Sequence, residues 1–451
     1  MPALGGAERN LTDKAAGTGL SWSRDGKFLV FSARDSDADP FYIKLLSLET
    51  LEVRHISSPP ASIIGDHQPS ISPDGKTVAF NRISSPMVTD IYLTSIYGGE
   101  TKRLTFDRAI VDGVTWTSDG GSVVFASSRG GGRSLWSMAV SDGTPELLSI
   151  GGTTAGRPAI SRDGDKLAYR QGFSHANIWS LELDASGRRV GLPRPLIVST
   201  SWDGGPQFSP NGTKITFQSA RSGSSEVWIA NADGSDSVQL TSHVGMSGTP
   251  RWSPDGKFIA FDSRPNGHSH IFVVPAVGGS ARQVTDGNFE DSVPSWSRDG
   301  RWIYFTSNRV GIWQLFKVPA RGGESIQITK KGGFAAFESL DGQSLYFCKD
   351  NDYGIWKMTP PGAEETRILP LNLDWGQWAA AARGIYFVDQ TTPEPTIGLF
   401  DFDTRRISRI LKVEKAQAHE VPAFDVSPDG RTIAFLQVEN VGDIVLVENF
   451  H

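Results

Sequence analysis

Hydrophobic positions recur along this chain in short alternating runs, separated by polar turns rich in glycine. The stretch Arg251-Trp252-Ser253-Pro254-Asp255-Gly256-Lys257-Phe258-Ile259-Ala260-Phe261 shows the pattern most fully. It reads as strand, tight turn, strand. Pro254 presets φ for a turn, and Asp255-Gly256 follows because glycine takes φ > 0 without steric cost. Phe258 to Phe261 then suits a pleated strand.

The same phrase recurs with its turn residue at Asp25, Asp74, Asp119, Asp163, Asn211, Asp255, Asp299, Asp341 and Asp429. Successive copies lie 42 to 49 residues apart, except for a gap of 88 that holds one degenerate copy around Arg383-Gly384. Six residues after each turn residue stands an aromatic: Phe31, Phe80, Phe125, Tyr169, Phe217, Phe261, Phe305, Phe347 and Phe435. The degenerate copy has Phe387. The residues two before and one before these aromatics are mostly apolar or small, so both faces of that strand are expected to be dry.

Each repeat carries two more strand patterns. A third strand is predicted at Ile91-Tyr92-Leu93, Ile178-Trp179 and Ile271-Phe272, and a fourth ends in Leu104-Thr105, Leu240-Thr241 or Val284-Thr285. Gly98-Gly99, Gly278-Gly279 and Gly322-Gly323 join them. The runs alternate with period two rather than 3.6, which excludes a helical solenoid. Four short antiparallel strands every ~40–45 residues predict an all-β fold, a β-propeller of ten four-stranded blades.

How the blades close is open at this level. Met1 to Asp13 matches Val274 to Asp286, so the chain is expected to open on a lone fourth strand; Ile444-Val445-Leu446-Val447 reads as a third strand with no fourth after it. Pairing these ends gives one ten-bladed ring. The other solution uses the link Asp184 to Arg194, with Gly187, Gly191 and Pro193, as a domain crossing. Leu196 to Val198 would then complete the last blade. Residues 194–451 would form a six-bladed ring, and residues 1–193 about four blades of an incomplete one.

Net charge is −6 among 451 residues, which gives no basic footprint for nucleic acid. The one cysteine, Cys348, sits beside Phe347 and reads as a buried inert thiol. The opening residues show no signal-peptide pattern, and no apolar stretch approaches the ~20 residues of a membrane helix.

The repeated Trp-Ser-Pro-Asp-Gly-Lys-x-Ile-Ala-Phe phrase, with fourth strands ending in Leu-Thr, resembles the TolB-type WD40-like propeller repeat. Gly248 to Gly256, Pro294 to Phe305, Gly332 to Ser339 and the ending Asp443 to Phe450 are similar to the C-terminal propeller region of bacterial CadC-like winged-helix regulators. That resemblance implies a periplasmic sensory or protein-binding region, with further blades upstream of Met1. No winged helix, membrane helix or kinase segment lies in this sequence, so DNA binding carries over to no residue. The alternative is a TolB-like soluble envelope protein acting in a protein assembly.

Prolyl-oligopeptidase-like hydrolases carry similar propellers, but their Gly-x-Ser-x-Gly elbow is absent; Gly245-Met246-Ser247-Gly248-Thr249 lacks the last glycine. The chain is therefore expected to bind rather than catalyse, and to need no cofactor. His268-Ser269-His270 could begin a metal site but has no third ligand assigned, and a polar loop is the plainer reading. Asp35-x-Asp37-x-Asp39 has Pro40 and Leu46 where a calcium loop needs glycine and glutamate, and reads as a solvated loop. The leading candidate surface is the start of strand one. Asp66, Asp203, Asp291 and His419 each stand three residues before a proline, at one end of the ring near its channel. A cationic small ligand, a peptide amine or protein partner, or a metal is expected there. The competing reading has these aspartates capping the local backbone.

Overall fold

The structure, a computed structural model, describes residues 10–12, 16–36, 39–61, 63–85, 88–106, 109–130, 132–141, 143–199, 201–242, 245–265, 267–349, 352, 354–371, 373, 375–389, 395–413 and 424–450. It is all-β, and no helix occurs among the described residues. Eight sheets have four antiparallel strands in sequential order. A further sheet of five strands holds the remaining two blades, giving the ten expected from the repeats.

The turn is built the same way in the nine regular repeats. Ser253 Oγ donates to Asp255 Oδ1 at 2.6 Å and accepts from the Phe258 amide at 2.9 Å, while Asp255 Oδ1 accepts from the Lys257 amide at 3.1 Å. The pairs Ser23/Asp25, Ser72/Asp74, Thr117/Asp119, Ser161/Asp163, Ser297/Asp299, Ser339/Asp341 and Ser427/Asp429 repeat it, with Ser209/Asn211 as the amide version. The serine hydroxyl holds the Asp255 carboxyl below its ordinary range. Serine and aspartate in the repeated phrase are thus one hydrogen-bonded unit of the turn. The closing Leu-Thr has an equal cause. Thr241 Oγ1 accepts from the Val227 amide at 2.9 Å, and Thr105, Thr285 and Thr329 do the same for Ile91, Ile271 and Leu315.

The chain forms two compact units: Met1–Gly172 with Gly442–His451, and Phe173–Val441. In the first, blades one to three are complete four-stranded sheets that start with Ala16–Trp22, Gly65–Ile71 and Val111–Trp116. Blade four has Ala155–Ile160, the first part of Lys166–Leu183 and the last part of Thr432–Glu448. Each repeat aromatic packs onto the preceding blade: Phe80 on Val30, Ile43 and Leu45, and Phe125 on Ala79, Ile91 and Leu93. Phe31 of blade one packs within its own blade and against Leu11, with no preceding blade among the described residues. Of the segment Glu8 to Thr12, which a ten-bladed ring would pair with the last blade, Glu8 and Arg9 lie outside the described residues.

In the second unit, blades five to nine start with Asp203–Phe208, Ser247–Trp252, Asp291–Trp296, Phe334–Glu338 and Trp378–Ala380. Blade ten combines Phe424–Val426, the first part of Thr432–Glu448, the second part of Lys166–Leu183, and Arg189–Ile197. Phe305 packs on blade six, Phe347 on blade seven and Phe387 on blade eight. Phe217 of blade five packs on Ala434 and Leu436 of blade ten, so this succession of six blades returns on itself.

Two sequence expectations fall differently here. Ile444–Val447 does not serve the last blade. Val445 and Val447 pack with Leu167 and Tyr169 of blade four, and the Phe450 amide donates to Asp165 O at 2.9 Å. The third strand of blade ten is supplied by Ile178–Leu183, with the Leu183 amide donating to Arg431 O at 2.7 Å. The chain therefore crosses within strand Lys166–Leu183 and returns within Thr432–Glu448. The expected division at 193/194 lies inside the second unit. Leu196 and Ile197 do belong to the outer strand of blade ten, where Ile197 pairs with Ile178.

Candidate functional site

The start of strand one is where each blade meets the next. One position within its first four residues takes a positive φ whether or not it is glycine: Gly205 at 61°, Thr249 at 47°, Val293 at 54°, Ala335 at 46°, Gln68 at 50°. For β-branched Thr249 and Val293 this conformation is strained. A bulge in the strand pairing lies at each of these positions, as between Gly248 and Arg251. The preceding blade holds the bulge in place. Gln218 Oε1 accepts from the Thr249 amide at 2.9 Å, Asp262 Oδ2 from the Val293 amide at 2.9 Å, and Thr306 Oγ1 from the Ala335 amide at 3.2 Å. Gln218, Asp262 and Thr306 are the residues directly after the repeat aromatics. Sequence reasoning passed over them; the signal was a polar residue next to last in the strand, directly after its apolar run.

Asp66, Asp203 and Asp291, each two residues before the positive-φ position, are fully buried. Each is held by an arginine from the end of strand two. Arg82 donates through Nε and Nη2 to Asp66 at 2.6 and 2.8 Å, Arg221 Nη2 donates to Asp203 at 2.8 Å, and Arg309 Nη2 donates to both oxygens of Asp291 at 2.9 Å. The same arginines lie over aromatic rings: Arg82 over Phe80 and Tyr92, Arg221 over Phe217 and Trp228, Arg309 over Phe305 and Phe316. Aspartate, arginine and two rings thus form a clasp that ties strand one to strands two and three. Burial pushes the Asp66 carboxyl up, and the Arg82 hydrogen bonds pull against that. His419 lies outside the described residues.

In the first unit the next position is His67. Its ring tilts against Phe41 at 4.6 Å between centroids, Nδ1 lies 3.4 Å from Thr18 Oγ1, and Nε2 has no partner. Burial pushes its pKa down to about 4. Between that value and the ordinary histidine pKa near 6.5, the unfolded chain binds a proton that the folded one refuses. Stability contributed by neutral His67 is therefore complete above pH ~6.5 and is lost as pH falls through ~4, by up to about 3 kcal/mol. Urea unfolding at pH 7 and pH 4 checks this: His67→Gln should flatten the difference, and an unchanged pH dependence would rule His67 out as its source.

Toward the centre of the second unit, one position repeats in every blade, directly before the last residue of strand one or at its equivalent. It is Gln207, Arg251, Ser295, Phe337, Ala379 and Asp425, facing Thr216, Ala260, Tyr304, Tyr346, Tyr386 and Ala434 of strand two. Several members bond to the next blade. Gln207 Oε1 accepts from the Trp252 amide at 2.5 Å, Asp425 Oδ2 accepts from the Phe208 amide at 2.8 Å, and Ser295 Oγ donates to Ala336 O at 2.5 Å. The repeat tryptophans answer in the other direction: Trp252 Nε1 donates to Gln207 O at 3.2 Å and Trp296 Nε1 to Arg251 O at 3.1 Å. Burial pushes Asp425 up to about 6 and lowers Arg251.

The remaining candidates resolve into local structure. His268 Nδ1 lies 2.9 Å from Glu290 Oε1, and no group of three or more metal-ligating side chains occurs among the described residues. Asp35 pairs with Lys44 at 2.5 Å and His55 at 2.9 Å, while Asp37 lies outside the described residues. Cys348 is buried, with Sγ 3.2 Å from Phe334 O. Ser247 is buried and its hydroxyl meets that of Ser263 at 3.2 Å.

Comparison with known proteins agrees with this architecture. The Tol-Pal system protein TolB of Francisella tularensis subsp. tularensis is 27% identical over 221 residues, covering 48% of this chain and 48% of that protein. The chain thus matches about half the length of that relative. Among solved structures, TolB from Acinetobacter baumannii covers 88% of this chain and 82% of its own at 15% identity and a TM-score of 0.30. The tricorn protease covers 92% and 46% at 15% identity and a TM-score of 0.27. Residues 19–192 and 193–374 each match the TolB beta propeller domain, and the chain belongs to that family.

Proposed function

We propose that this chain is a non-catalytic propeller that binds a protein or peptide partner, in the manner of a TolB-like module within a larger assembly. The observation that carries this reading is the match of residues 19–374 to the TolB beta propeller domain, a family with a relative named as a Tol-Pal system protein. In this reading Asp66, Asp203 and Asp291 shape the partner surface indirectly, by clasping the arginines that fix the ends of strand two. Loops set on so rigid a frame are where recognition residues concentrate.

The sensory region of a CadC-like regulator is a second reading, favoured by the phrases Gly248 to Gly256 and Asp443 to Phe450. The coding sequence upstream separates the two: a winged helix in the same frame supports the regulator, and a signal peptide supports the envelope module. Reciprocal purification from native cells tests binding itself. A partner recovered at constant stoichiometry is expected. Peptidase or esterase turnover that co-purifies with the chain through every step would overturn the non-catalytic reading.

A further inference from the structure

The ring of homologous positions at the centre of the second unit holds two opposite charges that do not pair with each other. Arg251 and Asp425 come from blades six and ten, with Gln207 of blade five between them. Arg251 is only 5% exposed. Its Nη1 donates to Pro250 O at 3.1 Å, its guanidinium lies 5.2 Å from the Phe337 ring centroid, and its Nε has no partner. Asp425 and Asp262 act on it through space, yet neither forms an ion pair with it. A guanidinium carries five N–H donors in a planar fork. Leaving part of that fork bare in the interior costs free energy that a bidentate carboxylate would recover.

The remaining positions make room for such a group. Ser295 and Ala379 are small, while Gln207, Phe337 and Asp425 keep part of their surface open although they stand at the middle of the ring. A simple anion fits poorly, because Asp425 opposes it. A molecule with both charges would meet a counter-charge for each. We propose that the lumen of the second unit binds the zwitterion of a small apolar α-amino acid, its carboxylate on the free edge of Arg251, its ammonium toward Asp425 and its side chain on Phe337. The partner-binding reading rests on neither Arg251 nor Asp425, so either can fail without the other.

Titration calorimetry of the full chain with L-leucine tests it, against 4-methylpentanoate, which lacks the ammonium, and isoamylamine, which lacks the carboxylate. Saturable binding of leucine is expected, with each single-charge analogue at least ~10-fold weaker. Arg251→Gln and Asp425→Asn should each weaken leucine by a similar factor. The comparison of ligands needs only the unaltered protein, so it stands even where a variant does not fold. No saturable heat with leucine at millimolar concentration overturns the proposal. So does equal binding of 4-methylpentanoate, which would show that the ammonium finds no partner.

Discussion

Asp291→Ala is expected to cost about 3 kcal/mol of stability, because it leaves a guanidinium whose side chain is only 18% exposed without its counter-charge. Asp291 has no exposed surface, and both its oxygens accept from Arg309 Nη2 at 2.9 Å. Arg309 has little freedom to swing away, since its guanidinium lies 4.8 Å from the Phe289 and Phe316 ring centroids and 5.3 Å from that of Phe305. Removing both charges should be far milder. Asp291→Ala with Arg309→Leu keeps apolar mass against the rings and strands no charge, so about half of the loss or more should return. Urea midpoints of the two variants decide the matter. A single-variant cost below about 1 kcal/mol would mean that water reaches the pair and screens it.

Phe261→Ala should cost about 3–5 kcal/mol for a different reason, the cavity left between two sheets. Phe261 is fully buried among Val227 of blade five and Trp252, Ile259, Phe272 and Val274 of blade six. Both sheets are fixed by their own strand ladders, so the site cannot collapse to fill the space. Phe258, three residues earlier on the same strand, is 41% exposed and provides the control. Phe258→Ala should change stability by no more than about 0.5 kcal/mol. Equal effects at the two positions would contradict the packing of this blade.

The strand pattern, the turns and the number of repeats were legible because they are local. Ser253, Asp255 and Gly256 make one turn within five residues, and Phe261 follows at a fixed distance. The partners of strands were not legible. Ile178–Leu183 and Ile444–Val447 carry the same alternation, and nothing within either segment states which neighbouring sheet it joins. Asp66, Asp203 and Asp291 stand at the start of strand one, but the arginines that clasp them were not legible. Arg82 follows Asp66 by 16 residues, whereas Arg221 and Arg309 follow Asp203 and Asp291 by 18, so no single spacing marks the pair. Arg251 and Asp425 were hidden more deeply. Each is one polar residue before a strand end in its own blade, and only the ring brings the two positions into one lumen.

The exchange of strands between blades four and ten also sets an order in time. Residues 166–172 leave the ribosome early, but the strand beside them starts at Gly442. At about 5–20 residues per second, the interval between them is roughly 14 to 54 s. Throughout it the growing chain displays an unpaired edge on blade four, open to any other strand that could add to it. The second unit is fully synthesised before that edge is covered. The first unit, begun first, is the last to be finished.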